Sequence, residues 1–529
     1  MFISAGVTEG EQYKISEIKV TGDTVLPQAD IERLVIPKAG DIFSRALLEY
    51  TSDAITNTLS NVGYAFAKVN PIPTPNREDR TVAVNLQVVP GPRVTVRRIL
   101  YKGNSRTSDE VLRREMRQFE NTWYSQAAID RSKIRLQRLG YFESVDVETP
   151  AVPGSNDQVD VVYNVKETTS GSFVFGLGYS QSFGVTTSVQ LSQNNFLGGG
   201  NRVAVEASRS SYQQRYAFSY TNPFFTDDGV SLGYNLSWRA LDYSDFNTAQ
   251  FNSKNGSAQV VFGVPITEND TVSAMVGIDS NQITTFAGTT PQAIIDYINA
   301  IGTRTFHAWR TELGWARDTR NDFFMPTRGM YQRVGLETTL PGSTVEYYKL
   351  NYQISNYWPI IPALVLNTRF ELGYGDSYGK DSTRVLTNPD GSTRTVTATG
   401  LPFYENFYAG GTNSVRGFED NTLGPRSEAI NGFTRGQPLG GSFKTVGSVE
   451  MYFPKLFDSP SARVSAFVDF GNVYNGVDNF KANELRASTG VALLWRAPVG
   501  PISISYAFPL KKEDNDEIER LQFTFGGQF

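Results

Sequence analysis

Two periodicities divide the chain. From residue 171 onward, oily positions alternate with small or polar ones. Phe173, Phe175, Leu177 and Tyr179 interleave with Val174, Gly176, Gly178 and Ser180. Val230, Leu232, Tyr234, Leu236 and Trp238 interleave with Ser231, Gly233, Asn235, Ser237 and Arg239. Near the end, Ile502, Ile504, Tyr506 and Phe508 interleave with Ser503, Ser505 and Ala507. A period of two marks a strand with one face in each of two environments. Each run is about nine to eleven residues long, enough for a tilted strand to cross a bilayer. About sixteen such runs fit the last ~360 residues. In lipid the sheet must close, because an open edge leaves backbone groups unpaired. The pattern therefore predicts a 16-stranded antiparallel transmembrane β-barrel over 171–529, wide enough to need something in its lumen. A soluble sandwich also alternates, but it does not set polar side chains against a wide interior or end its oily rows in Trp and Tyr.

Residues 13–167 follow a different pattern, and they repeat. Ile18-Lys19-Val20-Thr21-Gly22 is echoed by Ile99-Leu100-Tyr101-Lys102-Gly103, and Leu59 to Tyr64 by Leu136 to Tyr141. The offset of about 80 residues suits a small domain rather than a solenoid unit. Each copy reads strand, helix, helix, strand, strand, over 13–91 and 92–168. In the first copy Ser44 caps the second helix, Leu48, Ile55 and Leu59 face inward, and Gly63 ends it. In the second, Thr107 and Glu110 predict a capping box, followed by Val111, Leu112 and Met116. Its second helix starts near Ser125, carries Ile129, Ser132, Leu136 and Leu139 on one face, and stops at Gly140. Alternating runs from Val82 to Val89 and from Val159 to Val165 close the copies.

Composition narrows the function. The chain of 529 residues carries 34 Phe, 26 Tyr, 6 Trp and 47 Gly. Its mean hydropathy of -0.31 fits a barrel, whose lipid-facing and lumen-facing rows average out. Charged residues are 19% with a net charge of -5, which argues against a nucleic-acid surface. Cysteine is absent, so disulfides and thiol catalysis are excluded. No apolar run approaches the roughly 18 residues of a membrane helix. No signal peptide precedes the first repeat. Gly198-Gly199-Gly200 lacks the Lys and Ser of a phosphate loop and predicts a tight turn. His307 lies in a strand-like run with a structural role, and Asp227-Asp228 and Glu419-Asp420 are expected to be solvated turn residues. No enzyme chemistry, cofactor or metal site emerges, and no catalytic residue is assigned.

The longest link, about 378–442, holds the most informative motif. Phe403-Tyr404-Glu405-Asn406-Phe407-Tyr408-Ala409-Gly410-Gly411 leads into Val415-Arg416-Gly417-Phe418. Together with the repeats and the alternation, this resembles the Omp85 superfamily of outer-membrane proteins, and the βααββ copies resemble its POTRA domains. The resemblance implies two POTRA domains ahead of the barrel. It makes residues 1–12 the remnant of a preceding POTRA unit or linker, with further units removed upstream. An arginine inside a barrel must find carboxylates. Parity supplies two. Val449, Met451 and Phe453 face lipid, so Glu450 points inward, and Val464, Ala466, Val468 and Phe470 do the same for Asp469. The resemblance implies that Arg416, with Gly417 and Phe418, locks the loop onto these acids, and a planar guanidinium bridges both.

The chain ends Leu521-Gln522-Phe523-Thr524-Phe525-Gly526-Gly527-Gln528-Phe529, a last strand with a terminal aromatic. The family pattern implies a lateral seam between Phe173, Phe175 and Leu177 and the strand of Phe523, Phe525, Gly526, Gly527 and Phe529. A glycine at the Gly526 position lets that last strand bend inward. An unpaired edge is a template for another strand. The implied function is the central component of the outer-membrane β-barrel assembly machinery, which folds and inserts barrel proteins through that seam. The implied partners are unfolded outer-membrane β-barrel clients, periplasmic lipoproteins and outer-membrane lipid, with no nucleic acid. The implied location is the outer membrane of a Gram-negative bacterium, with the POTRA domains in the periplasm. Glu120, near Arg113, Arg114 and Arg117, matches an acidic lipoprotein-docking position; a solvated helix face is the alternative. A two-partner secretion pore and a related translocation and assembly factor of the superfamily are the rival readings.

Overall fold

A computed structural model describes residues 11–181, 184–243, 248–322, 325–361, 363–387, 390–430, 433–454, 461–497 and 500–526. They fall into two compact units, Met1–Ser170 with Asn195–Gly200, and Gly171–Asn194 with Asn201–Phe529.

The first unit contains the two repeats. The first copy runs β1 (Lys14–Gly22), α1 (Gln28–Leu34), α2 (Arg45–Ser60), β2 (Lys68–Asn76) and β3 (Thr81–Val89). Its sheet order is β1-β3-β2, with β1 parallel to β3. Ser44 caps α2 by accepting from the Leu47 N–H, and Leu48, Ile55 and Leu59 are buried against Val82, Val84, Leu86 and Val88. On the edge strand β2, Pro71, Pro73 and Pro75 alternate, so their missing N–H groups all fall on one edge. The second copy runs β4 (Thr95–Lys102), α3 (Asp109–Arg113), α4 (Gln126–Arg138), β5 (Phe142–Glu148) and β6 (Gln158–Glu167), with sheet order β4-β6-β5. Ser125 caps α4. The predicted capping box does not form. Ser108, not Thr107, stands at the N-cap of α3 without a side-chain cap, while the Thr107 N–H donates to Glu167 at 2.7 Å. Glu167 takes the Arg106 N–H as well, so the turn before α3 is organised by β6.

The second unit is a closed sixteen-stranded barrel. Its wall begins with β7 (Gly171–Ser180), β8 (Gly184–Phe196), β9 (Asn201–Arg209), β10 (Gln213–Asn222), β11 (Ser231–Asp242), β12 (Phe251–Pro265) and β13 (Asp270–Thr285). After α5 (Gln292–Ile301) come β14 (Thr305–Asp318), β15 (Gly329–Thr339), β16 (Tyr347–Ile361) and β17 (Leu364–Ser377). The long link then holds a hairpin, β18 (Ser382–Thr387) and β19 (Thr393–Ala398), and the short β20 (Gly417–Phe418). The wall resumes with β21 (Phe443–Phe453), β22 (Ala462–Tyr474), β23 (Arg486–Ala497) and β24 (Gly500–Lys511), passes β25 (Ile518–Glu519), and ends in β26 (Leu521–Phe525). All neighbours in the wall are antiparallel, and β26 returns to β7.

Parity holds along the wall. Phe173, Phe175, Leu177, Tyr234, Leu236, Trp309, Leu313, Val449, Met451 and Val468 stand exposed on the outer face. Asn367, Ser448, Ser465, Asp469, Ser488, Ser505 and Gln522 are buried on the inner one. Leu232 departs from the oily row and is buried. α5 was not anticipated. It packs Ile294, Tyr297 and Ile298 with Phe251, Phe306, Val396 and Phe403 into an apolar cluster that includes the long link. Gly302, at φ +84°, ends the helix.

Candidate functional site

The long link folds into the barrel. Its lead-in forms a single turn, Phe403–Glu405, whose Phe403 ring lies 5.1 Å from Phe251 and 5.6 Å from Tyr297, edge to face. Phe407 exchanges backbone hydrogen bonds with Gly441, which brings the two limbs of the loop together. Gly410 and Gly411 then turn the chain at φ +107° and +91°. A Cβ on Gly410 would sit 2.5 Å from the Glu419 carbonyl oxygen, and one on Gly411 would overlap the Asp420 carboxylate. Only glycine allows so tight a return, and that return presents Arg416 to the wall.

Arg416 is held on every side. Its Nε and one terminal nitrogen donate to the two oxygens of Asp469 at 2.7 and 2.8 Å, a planar fork on a carboxylate. Its backbone N–H adds a third bond to Asp469 at 3.1 Å. Glu450 accepts from it at 3.2 and 3.4 Å, and the guanidinium lies 3.3 Å above the Phe467 ring. Asp469 is 0% exposed and also accepts from Ser448 at 2.7 Å; Glu450 accepts from Ser465 and from Tyr452. Two acids, Asp469 fully buried and Glu450 largely so, face one cation here, and the hydroxyl donors satisfy the remaining lone pairs. That completeness is the condition for a buried ion pair to persist.

The next residues reach the last strand. Gly417 and Phe418 pair with Glu519 and Ile518 of β25. The Gln522 side-chain amide, 1% exposed, donates to the Phe418 carbonyl at 2.8 Å and accepts from the Gly417 N–H at 3.4 Å. Phe418 is fully buried with Ala409, Val415, Leu423, Val446 and Val473. Ser448, Phe467 and Gln522 were not singled out from the sequence. Gln522 and Phe467 were accessible by parity, each falling on the inward row of its strand.

Glu419 and Asp420 are not solvated turn residues. Asp420 is 7% exposed and accepts from the Thr412 N–H, and the Glu419 N–H donates to the Glu517 carbonyl. Burial, then the neighbouring Glu517, pushes the Glu419 carboxyl up to about 7. Burial and Glu519 push Asp420 up to about 7 as well. Sequence spacing showed two acids in a turn; it did not show that Glu517 and Glu519 fold back onto them.

At the seam the described pairing is short. Thr524 pairs with Ser180 and Phe525 with Tyr179, and the Gln181 N–H reaches the Phe523 carbonyl at 3.4 Å. On the other side β7 pairs with β8 from Gly171–Gln193 to Ser180–Gly184. Tyr179 and Ser180 thus make the described contact at the strand junction expected as the seam, and Phe173, Phe175 and Leu177 lie on the same strand, β7. Gly526 adopts φ +68°, donates to the Pro501 carbonyl at 2.8 Å, and lies so near Leu177 that a Cβ would stand 2.5 Å from its carbonyl oxygen. Gly527 and Phe529 lie outside the described residues. In the first unit, Glu120 accepts from the Ile99 N–H at 2.8 Å and lies 3.5 Å from Arg113, its side chain about one third exposed. Among the described residues no group of acids or histidine has the arrangement of a metal site.

Comparison with known proteins places this geometry. Residues 195–529 match the Omp85 superfamily domain, and residues 13–91 and 94–168 match the POTRA family model, described as a surface antigen variable number repeat. The outer membrane protein assembly factor BamA of Neisseria meningitidis serogroup B is 33% identical over 100% of this chain and 68% of its own length. The chain thus spans about two thirds of that relative. A crystal structure of BamA from Haemophilus ducreyi lacking POTRA domains 1-3 superposes with a TM-score of 0.83 at 33% identity, covering 98% of this chain and 100% of that one. CdiB from Escherichia coli, at 16% identity, a TM-score of 0.51, and coverage of 99% of this chain and 91% of that one, shares the fold. Two POTRA repeats, a closed barrel and an arginine-bearing loop anchored within it identify the chain as a member of the Omp85 superfamily and of its BamA family.

Proposed function

We propose that this chain folds and inserts β-barrel proteins into the outer membrane, with the junction of β7 and β26 as a lateral gate. The observation that carries the reading is the end of β26: Gly526, at φ +68°, turns the chain out of the strand directly after Phe525, where β26 meets Tyr179 and Ser180 of β7. A strand edge with free N–H and C=O groups is a template for an incoming strand. Unpaired backbone in hydrocarbon costs several kcal/mol per group, so opening is favourable only as a client strand replaces the pairs that separate. No covalent step is part of this reading. The driving free energy is the client's own burial and hydrogen bonding.

The partners we propose are unfolded barrel clients, outer-membrane lipid, and lipoproteins at the POTRA domains on the periplasmic side; the BamA relatives, outer membrane protein assembly factors by name, support the assembly role. Glu120 is the docking position we assign, since the Ile99 N–H orients it while leaving it partly exposed. Loss of lipoprotein co-purification in Glu120→Lys tests that assignment, and retention refutes it.

The function is tested in liposomes by timing the folding of a denatured barrel protein, with ion conductance recorded in parallel. The chain has no cysteine, so an S180C/T524C pair forms one unambiguous seam crosslink. Acceleration that disappears on oxidation and returns on reduction supports the gate. Acceleration indifferent to the crosslink refutes the gate but not the assembly role. Absence of acceleration with a large steady conductance favours a secretion pore.

A further inference from the structure

The lead-in to the arginine motif carries its own charge, and its surroundings mirror those of Arg416. Glu405 is a loop acid with a side chain 17% exposed. One carboxylate oxygen lies 2.8 Å from Arg310 on β14, and the other 2.9 Å from Lys349 on β16. Arg310 is backed in turn by Asp279 at 2.8 Å, Glu337 at 3.4 Å and the Tyr347 hydroxyl at 2.9 Å. The Tyr347 hydroxyl donates onward to Glu337 at 3.2 Å. Lys349 also stands 5.0 Å from the centre of the Phe407 ring. The two residues before Glu405 are wedged in aromatic packing, with Tyr404 4.9 Å from Phe306 and Phe403 against Tyr297. The acid is therefore aimed at the wall by a rigid turn.

We propose that Glu405 is a second clamp of reversed polarity. It holds the loop to β14 and β16, as Arg416 holds it to β21 and β22, and the two together fix the loop across the barrel lumen. The reversal gives the dock a direction. One part of the wall presents cations to a loop acid, and another presents acids to a loop cation. A loop shifted between the two would face like charges at both ends, and like charges in a low-dielectric interior repel strongly. Between the clamps the loop does not lie on continuous packing. A cavity of about 330 Å³ lies there, lined by Glu312, Arg333, Asn351, Glu371, Phe407 and Lys444. Two fixed ends with a polar gap between them make a strut, and its position decides how much of the lumen is open.

The inference rests on the transmembrane barrel of the reading above, and its test reads ion flow rather than client folding, so each fails independently. Glu405→Gln, Lys349→Gln and the double variant are placed in planar bilayers in potassium chloride, with heat-modifiable gel migration as the folding control. Glu405→Gln keeps the shape of the turn and removes the charge. We expect its open-state population to rise by about tenfold or more, the factor equivalent to 1.4 kcal/mol. The double variant should conduct no more than Glu405→Gln alone, because coupled residues are non-additive. Wild-type conductance in Glu405→Gln overturns the proposal, as do single-variant effects that multiply in the double. If Glu405→Gln does not fold, Lys349→Gln reads the same clamp from the wall, and unchanged conductance there overturns it.

Discussion

Replacing Asp469 with asparagine isolates the strength of the arginine clamp. The carboxylate accepts four hydrogen bonds: the Arg416 N–H at 3.1 Å and Nε at 2.7 Å on one oxygen, and an Arg416 terminal nitrogen at 2.8 Å and Ser448 at 2.7 Å on the other. Asparagine keeps the volume but turns one oxygen into a donor. The less costly orientation sets that NH2 where Ser448 can rotate and accept, yet an Arg416 nitrogen still faces a donor. The guanidinium retains Glu450, so the loss belongs at the lower end of the range for breaking a buried ion pair, about 3 kcal/mol. At 1.4 kcal/mol per decade, loop undocking rises roughly a hundredfold. Amide hydrogen exchange across Arg416–Phe418 measures this as local opening, and trypsin cleavage after Arg416 gives an independent reading. Glu450→Gln should do less, about tenfold or below, because its bonds to Arg416 are 3.2 and 3.4 Å and Ser465 and Tyr452 still satisfy it. An Asp469→Asn exchange rate within about threefold of wild type would falsify the clamp as described, and so would a larger effect from Glu450→Gln.

Three further outcomes follow from the same geometry. Gly526→Val should straighten the end of β26, because φ +68° costs an L residue about 1–2 kcal/mol and its Cβ would crowd the Leu177 carbonyl; the yield of the S180C/T524C crosslink should fall, and an unchanged yield refutes this. Gln522→Leu removes the acceptor of the Gly417 N–H and the donor to the Phe418 carbonyl, so exchange at the Gly417 amide should rise about tenfold or more while Arg416 stays protected; equal exposure of Arg416 would show that the clamp and the last strand are not separable. The loop should dock more firmly at pH 5 than at pH 8. Glu419 and Asp420 have pKa values raised to about 7, so the docked state holds more protons than the undocked one between the ordinary carboxylate range and 7, and docking weakens as pH rises through that window. Slower proteolysis of the loop at pH 8 than at pH 5 would reverse that sign.

Much of this was written in the alternation of side chains. Parity alone turned Glu450 and Asp469 inward, since each sits between two lipid-facing residues, and the structure sets both against Arg416. The apolar spacing of both second helices located their buried faces, with Ile55 and Leu136 at the centres of their cores. What parity could not supply was contact between loops and wall. Glu405 has no neighbours in sequence that reveal its cations, which come from strands more than fifty residues away. The helix α5 carried a readable signal, Ile294, Tyr297 and Ile298 at helical spacing ahead of Gly302, but it interrupts a strand pattern strong enough to mask it. The turn at the end of β26 was legible only in part: a glycine in a sequence announces freedom without saying which conformation is taken, and Gly526 takes φ +68°.

The distribution of strength around the barrel bears on how a gate there could work. From β9 round to β24 the wall is laddered along its strands, from eight paired positions between β9 and β10 to fifteen between β12 and β13, and β24 pairs with β26 at five. The junction of β26 with β7 adjoins a strand tied from inside, through Gln522 and the pairing of β20 with β25. With Gln522 anchored to the loop, and the loop anchored by Arg416 to β22, the middle of β26 stays in register with β24 from Tyr506–Leu521 to Ile502–Phe525. Separation is then confined to the β7 side, and an incoming strand meets one free edge instead of a frayed end. The interior clamps thus act on the proposed gate by deciding which ladder yields first.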